Sequence, residues 1–295
     1  MKKLLFLNIL LFACLSSFAQ KFQPELRLPI GHTGGINTAQ FSPDGKMVVT
    51  ASKDKTAKVW DVYTGKLLHS LEGHKFWVTS AQFSPDGKSI ITASENAKIW
   101  DVASGNMLQD LTDHTRRVTS AYFSPDGKMV VTASDDNTAK IWDVASGEML
   151  HDLVGHKRAV KSAKFSPDGK SIVTASDDKT AKVWDASTGK LLYSLEGHTH
   201  RVRFAAFSPN LQGGQRIVTA SWDSTAKVWE ASTGKLLHTL KHTGVVNSAE
   251  FSPDLFEKQR IVTSSKDNTA RVWEASTGKL LHNLDGHSLS VNSAS

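Results

Sequence analysis

Cysteine is almost missing from this chain. Its one copy, Cys14, stands near the start of 295 residues. That excludes a disulfide framework and any zinc site built on paired cysteines. No apolar run reaches the roughly 20 residues that a membrane-crossing helix needs. Past the N-terminus no stretch carries a 3.6-residue apolar period, so helices are not expected. A large charge excess is missing too: 35 Lys and Arg against 29 Asp and Glu leave +6. The basic residues are dispersed along the chain, which argues against a nucleic-acid partner. No Gly-x-Ser-x-Gly nucleophile turn occurs, and Thr-Gly-Lys at Thr64, Thr188, Thr233 and Thr277 lacks the glycine-rich loop of a phosphate site.

The N-terminus reads as an export signal. Lys2-Lys3 precede an apolar run from Leu4 to Ala13, and Ser17-Phe18-Ala19 forms a small-x-small site before Gln20. Residues 1–19 are therefore expected to be cleaved, and the protein to be periplasmic, envelope-bound or secreted. A lipid anchor at Cys14 is the competing expectation, weakened by the bulky Phe12 in Leu11-Phe12-Ala13-Cys14. The mature chain, 20–295, has no cysteine, no expected membrane span and a formal charge of about +4.

What is abundant is one recurring phrase. Phe41-Ser42-Pro43-Asp44-Gly45 leads to Val48-Val49-Thr50-Ala51-Ser52, then Thr56-Ala57-Lys58-Val59-Trp60-Asp61, then Thr64-Gly65-Lys66, then Gly73-His74. Histidines 32, 74, 114, 156, 198, 242 and 287 set spacings of 42, 40, 42, 42, 44 and 45 residues. Such a period means units that bury their apolar faces against their neighbours. The phrases are short and rich in β-branched and aromatic residues, and four turns separate four strands per unit. The second unit reads Thr92-Ala93-Ser94-Glu95-Asn96-Ala97-Lys98, two residues shorter than Thr50–Lys58.

Gly-His, Ser-Pro-Asp-Gly and Asp-Lys-Thr-Ala-Lys-Val-Trp-Asp at this spacing resemble the WD-repeat family from Leu26 onward. The resemblance implies an all-β propeller of four-stranded blades around a channel. Six repeats are complete, at about 32–73, 74–113, 114–155, 156–197, 198–241 and 242–286, with a partial one at 287–295. It further implies a hydrogen-bonded set in each blade. The histidines are His32, His74, His114, His156, His198 and His242. The aspartates are Asp54, Asp136, Asp178, Asp223 and Asp267. The tryptophans are Trp60, Trp100, Trp142, Trp184, Trp229 and Trp273. In blade one the hydroxyl is Thr50 or Ser52, and the histidine His32 or His74. Blade two lacks the aspartate and its following threonine, so its set should be incomplete and its amides the least protected. Glu230 and Glu274 replace the aspartate after tryptophan, keeping charge but not geometry.

The end fragments resemble two strands of a further blade. Leu26–His32 matches an outer strand, and 287–295 matches an inner one. Either a longer protein supplies the two middle strands, the favoured expectation, or six blades close alone with the end strands at the seam.

The histidines at the Gly-His position are related by rotation and read as structural, with no metal or cofactor expected. Asp135-Asp136 and Asp177-Asp178 lack the spacing of a calcium loop. Candidate binding residues are those that break the repeat. They follow Gly-His, as in Phe76, Trp77, Arg116, Arg117, Arg158, His200 and Arg201, or precede the buried aspartate, as in Trp222. Both connections leave the blade on the same side. Aromatic and arginine side chains dominate binding hot spots. The expected function is a non-catalytic scaffold for a protein or peptide. Two alternatives stay open: a propeller enzyme or binder acting on carbohydrate or peptide at the channel mouth, and a structural fragment of a larger envelope protein.

Overall fold

Every strand of the protein ends at one of the turns that the sequence marks. The computed structural model describes residues 31–209, 214–253 and 259–294. The leader, and the 26–30 part of the outer-strand fragment, lie outside the described residues. Blade one holds β1 (Ile36–Phe41), β2 (Met47–Ser52), β3 (Ala57–Asp61) and β4 (Leu67–Leu71). Blade two holds β5 (Ser80–Phe83), β6 (Ser89–Ala93), β7 (Ala97–Asp101) and β8 (Met107–Leu111). Blade three holds β9 (Val118–Phe123), β10 (Met129–Ser134), β11 (Ala139–Asp143) and β12 (Met149–Leu153). Blade four holds β13 (Val160–Phe165), β14 (Ser171–Ser176), β15 (Ala181–Asp185) and β16 (Leu191–Leu195). Blade five holds β17 (Val202–Phe207), β18 (Arg216–Ser221), β19 (Thr225–Glu230) and β20 (Leu236–Lys241). Blade six holds β21 (Val246–Phe251), β22 (Arg260–Ser265), β23 (Ala270–Glu274) and β24 (Leu280–Leu284).

Each blade is one antiparallel meander in chain order. Side chains define the turns. In the first, the Ser42 hydroxyl donates to Asp44 (2.6 Å) and accepts the Met47 N–H (2.9 Å). Gly45 closes it at φ 70°, a conformation that costs glycine little. After the third strand, Asp61 accepts both the N–H (2.7 Å) and the hydroxyl (2.6 Å) of Thr64. Glu274 has one more methylene and takes only the Thr277 hydroxyl (2.6 Å).

The apolar cores lie between blades. The forward face of blade one (Val49, Ala51, Val59, Leu71) packs on Val78, Ala81, Ile90 and Trp100 of blade two, and the pattern repeats through blades five and six. Each later tryptophan is thus roofed by the preceding blade: Trp142, Trp184 and Trp229 are almost fully buried. Losing such a ring costs about 3–5 kcal/mol. Polar stitches join the inner strands. Asn37 donates to the Val78 carbonyl (2.7 Å), Thr79 to Val118 (3.2 Å) and Thr119 to Val160 (2.7 Å). On the outer strands, His151 bonds the Ser187 carbonyl of the next blade and His238 that of Ser276, both at 2.8 Å.

The two terminal blades differ. Leu71, Leu111, Leu153, Leu195 and Leu240 are at most 1% exposed, whereas their counterpart Leu284 is 48% exposed. Ile36 and Phe41 of β1 are 58% and 63% exposed. Among the described residues only the 287–294 segment lies along the forward face of blade six, and nothing covers the rear of blade one. Residues 287–294 follow the course of a next inner strand along blade six. The Val291 N–H donates to the Ser265 carbonyl (3.0 Å) as Val78 does to Ser52 (3.0 Å). Asn247 then donates to the Val291 carbonyl (2.9 Å), repeating the Asn37 stitch.

Candidate interaction face

The face is held by the hydrogen-bonded set beneath it. In blade three, His114 Nδ1 bonds Asp136 (2.7 Å), and Nε2 bonds the Thr132 hydroxyl (2.7 Å). Trp142 donates to the same hydroxyl (2.9 Å). A carboxylate only accepts, so the ring proton sits on Nδ1. Nε2 must then accept, and the one hydroxyl donates to histidine while accepting from tryptophan. Asp136 also takes the hydroxyl (2.8 Å) and N–H (2.9 Å) of Thr138 and the N–H of Thr115 (3.1 Å). With the four strands of each blade lettered a to d from the inside outward, it therefore pins the b–c turn to the loop after Gly-His.

In blade one the set is His32, Thr50, Asp54 and Trp60, which resolves both open choices. Ser52 instead donates to the Gly34 (3.1 Å) and Gly35 (3.2 Å) carbonyls. The histidine that precedes each blade's inner strand serves that blade, as His156, His198 and His242 also show. Burial lowers the pKa of His114 against the pull of Asp136, and that of His242 against Asp267, so both rings sit neutral. Burial alone would raise Asp54, Asp178, Asp223 and Asp267. The bonds from their threonine and histidine partners outweigh it and hold all four well below the usual carboxylate range.

Blade two departs from this. His74 Nε2 keeps Thr92 (2.7 Å), which also receives Trp100 (2.8 Å), but Nδ1 has no hydrogen-bond partner. Glu95 stops 3.6 Å short of it and accepts the N–H groups of Lys75 (2.9 Å) and Phe76 (3.4 Å) instead. Burial pushes the His74 ring down to about 4, with Glu95 only partly opposing. Beside the short turn, with Glu95 and Asn96 in its wall, a cavity of about 700 Å³ lies between blades two and three, lined also by Phe76, Trp77, Thr115, Arg116 and Arg117. Phe76 and Trp77 stand 62% and 55% exposed, so neither is seam packing.

The remaining symmetry-breaking side chains form a second cluster. Trp222 in blade five is stacked by His200, with centroids 5.7 Å apart. Three cations flank its ring: Arg201 at 5.1 Å, Arg203 at 5.5 Å and Lys266 at 5.4 Å. A charge relay connects the clusters. Arg117 donates to Asp135 (2.9 Å), Lys161 reaches Asp135 (2.6 Å) and Asp177 (3.6 Å), and Arg201 and Arg203 approach Asp177 at 3.7 and 3.8 Å. Burial would raise Asp135, but Lys161 and Arg117 hold it below its ordinary value. Phe76, Trp77, Arg116 and Arg117 are thus brought together, as are His200, Arg201 and Trp222. Arg158 is exposed and joins neither cluster.

Sequence reasoning passed over Lys161 and Arg203. They fill the inner-strand position that holds Asn37, Thr79, Thr119 and Asn247 elsewhere. There the interblade stitch is replaced by a charge, and aligning that position across units would have exposed it. It also passed over a cluster near the opposite end of the inner strands. Lys164 bonds Glu250 (3.2 Å) and lies over Phe204 (4.4 Å) and Tyr122 (4.9 Å). Among the described residues no three His, Cys, Asp or Glu side chains are placed to hold a metal ion. No described helix is long and apolar enough to cross a membrane.

Known proteins place the chain. The WD domain, G-beta repeat family model matches residues 23–61, 65–101, 105–143, 147–185, 189–230 and 234–274. Small ribosomal subunit protein RACK1 of Caenorhabditis elegans is 47% identical over 45 residues, 15% of this chain and 14% of that protein. WD repeat-containing protein 37 of Mus musculus is 46% identical over 55 residues, 17% of this chain and 11% of that protein. Cross-pathway control WD-repeat protein 2 of Flammulina velutipes is 50% identical over 42 residues, 14% and 13% respectively. Each match therefore spans only a small part of the relative. Six matched repeats and six four-stranded blades make one statement: this chain belongs to the WD-repeat family of β-propellers.

Proposed function

We propose that this propeller is an exported, non-catalytic scaffold that binds a protein or peptide on the face formed by the loops after Gly-His and the b–c turns. One observation carries the reading. Seven of the eight side chains singled out for breaking the repeat gather into the cavity between blades two and three and the Trp222 cluster. Large aromatic rings beside guanidinium groups are the usual makings of a binding hot spot. The matched family consists of repeats that commonly serve as interaction scaffolds.

The test is crosslinking capture from the cell envelope with the wild-type chain and with Trp222→Ala and Arg201→Ala. Captured partners should bind these variants about 10- to 100-fold more weakly, equivalent to 1–3 kcal/mol, with an unchanged melting temperature. Tyr63→Ala alters an exposed residue of a c–d turn, on the other side of the blades, and should bind normally. Equal loss with Tyr63→Ala, or no loss with the other two, would overturn the reading. Export is part of the proposal, and it expects a mature N-terminus at Gln20 by mass measurement.

A further inference from the structure

Deleting two residues from a turn rarely leaves a well-shaped hole. In blade three the b–c connection Ser134-Asp135-Asp136-Asn137-Thr138 carries the aspartate that reaches down to His114. In blade two it shrinks to Ser94-Glu95-Asn96. The shortened turn forms one wall of a cavity, with Glu95 and Asn96 at its edge. At about 700 Å³ it lies within the roughly 300–1,000 Å³ range of ligand pockets.

The walls say what fits. Phe76 and Trp77 supply exposed aromatic surface on one side, and Thr112 and Thr115 add small polar groups. Charge at the rim tilts one way once committed groups are set apart. Glu95 is occupied by the N–H groups of Lys75 and Phe76. Asp135 is occupied by Arg117 and Lys161. Among the described residues Arg116 and Lys75 pair with no acid, and Lys53 rests over the Trp77 ring at 5.2 Å. Asp113, between the lining residues Thr112 and His114, is the acid left without a cation partner among the described residues there. Against it stand Arg116, Lys75 and Lys53, so the uncommitted charge around the aromatic hole is net positive.

We infer that this notch receives a large apolar side chain, aromatic by preference, from a peptide segment rich in Asp and Glu. The ring would lie against Phe76 and Trp77 while flanking carboxylates meet Arg116, Lys75 and Lys53. Such pairing steers encounter and selects against basic segments. The inference rests on the proposed binding face and names the chemistry of the segment that occupies this part of it.

The probe is a fluorescein-labelled peptide, acetyl-Glu-Asp-Trp-Glu-Asp-amide, read by anisotropy against the full chain. Controls carry Ala for Trp, or Lys and Arg for the acids. The discriminating variant replaces Ser94–Asn96 with the five residues Ser134–Thr138, which rebuilds the cavity wall now formed by Glu95 and Asn96 and restores the histidine's partner. It should fold at least as stably as the wild type while losing binding 10-fold or more. Arg116→Glu should lose a similar factor, and Tyr63→Ala should lose none. Retained affinity in the turn replacement, equal binding of the basic peptide, or no binding of the acidic Trp peptide would overturn the inference. The wider reading fails separately, through undiminished envelope capture by Trp222→Ala and Arg201→Ala.

Discussion

Blades two and three are neighbours, each covered on both sides, and built from the same phrases. They differ by two residues in one turn. In blade three every polar atom of His114 is satisfied; in blade two His74 Nδ1 is buried without a partner. A buried donor without a partner costs about 1–3 kcal/mol. Beside the shortened turn lies a cavity that the two blades share. A repeat array tolerates this because each blade's stability is mostly its own plus that of its two interfaces. Local loss can stay local, and one blade can specialise while the others hold the ring.

The sharpest way to break the comparison is to remove the acid from each blade. Asp136→Ala strips His114, the Thr138 hydroxyl and two N–H groups of their acceptor at once. It should cost about 3 kcal/mol in urea unfolding. Glu95→Ala removes two backbone contacts from a half-buried turn and should cost about 1 kcal/mol or less. Equal costs would mean that Glu95 replaces the aspartate after all.

Acid should separate the blades next. The His74 pKa is about 4 when folded, against roughly 6.5 when unfolded. A depressed histidine contributes nothing above the unfolded value. Below it the unfolded chain takes up the proton first, so stability falls as pH drops from about 6.5 toward 4. The network aspartates are also depressed, so their contribution is present above about 4 and is lost at lower pH. Unfolding free energy should thus decline in two stages, the first by about 3 kcal/mol. His74→Gln should make the first stage shallower, leaving the part contributed by His114 and His242. A flat profile between pH 7 and 5 in the wild type would contradict the assignment.

Smaller effects sharpen the same contrast. Giving blade two the turn of blade three should stabilise the protein by about 1 kcal/mol. The longer turns carry a strain that blade two lacks, because each holds one non-glycine residue at positive φ. Lys179 sits at 77°. Lys179→Gly should therefore stabilise by about 0.5 kcal/mol, read as a shift in the urea midpoint. A loss would show that the lysine side chain contributes more than the strain costs.

Most of the fold was legible in the sequence because the repeat multiplies each weak signal. One Ser-Pro-Asp-Gly is a turn among many, whereas the same phrase at fixed spacing sets register. The blade-two defect was legible as well, since a missing aspartate is visible by alignment of the units. What the residues left open was geometry. Thr50 and Ser52 lie on one strand face, and only the reach of the His32 and Trp60 rings selects Thr50. Lys161 and Arg203 went unread because their counterparts are uncharged stitches, and a long cation turns from the neighbouring backbone to an acid on the preceding blade. The terminal blade faces depend on which surfaces meet, so repeat counting left two readings open; among the described residues Leu284 and Ile36 stand exposed there. Those terminal faces should fray first, so the low protection of blade two is to be sought among the interior blades.

Native-state hydrogen exchange, resolved by peptide, tests the central contrast most directly. Amides of β6 and β7 should open at a free energy about 1–2 kcal/mol below those of β10 and β11, and the five-residue turn in place of Ser94–Asn96 should erase the gap. Equal protection of the two blades in the wild-type chain would contradict the account.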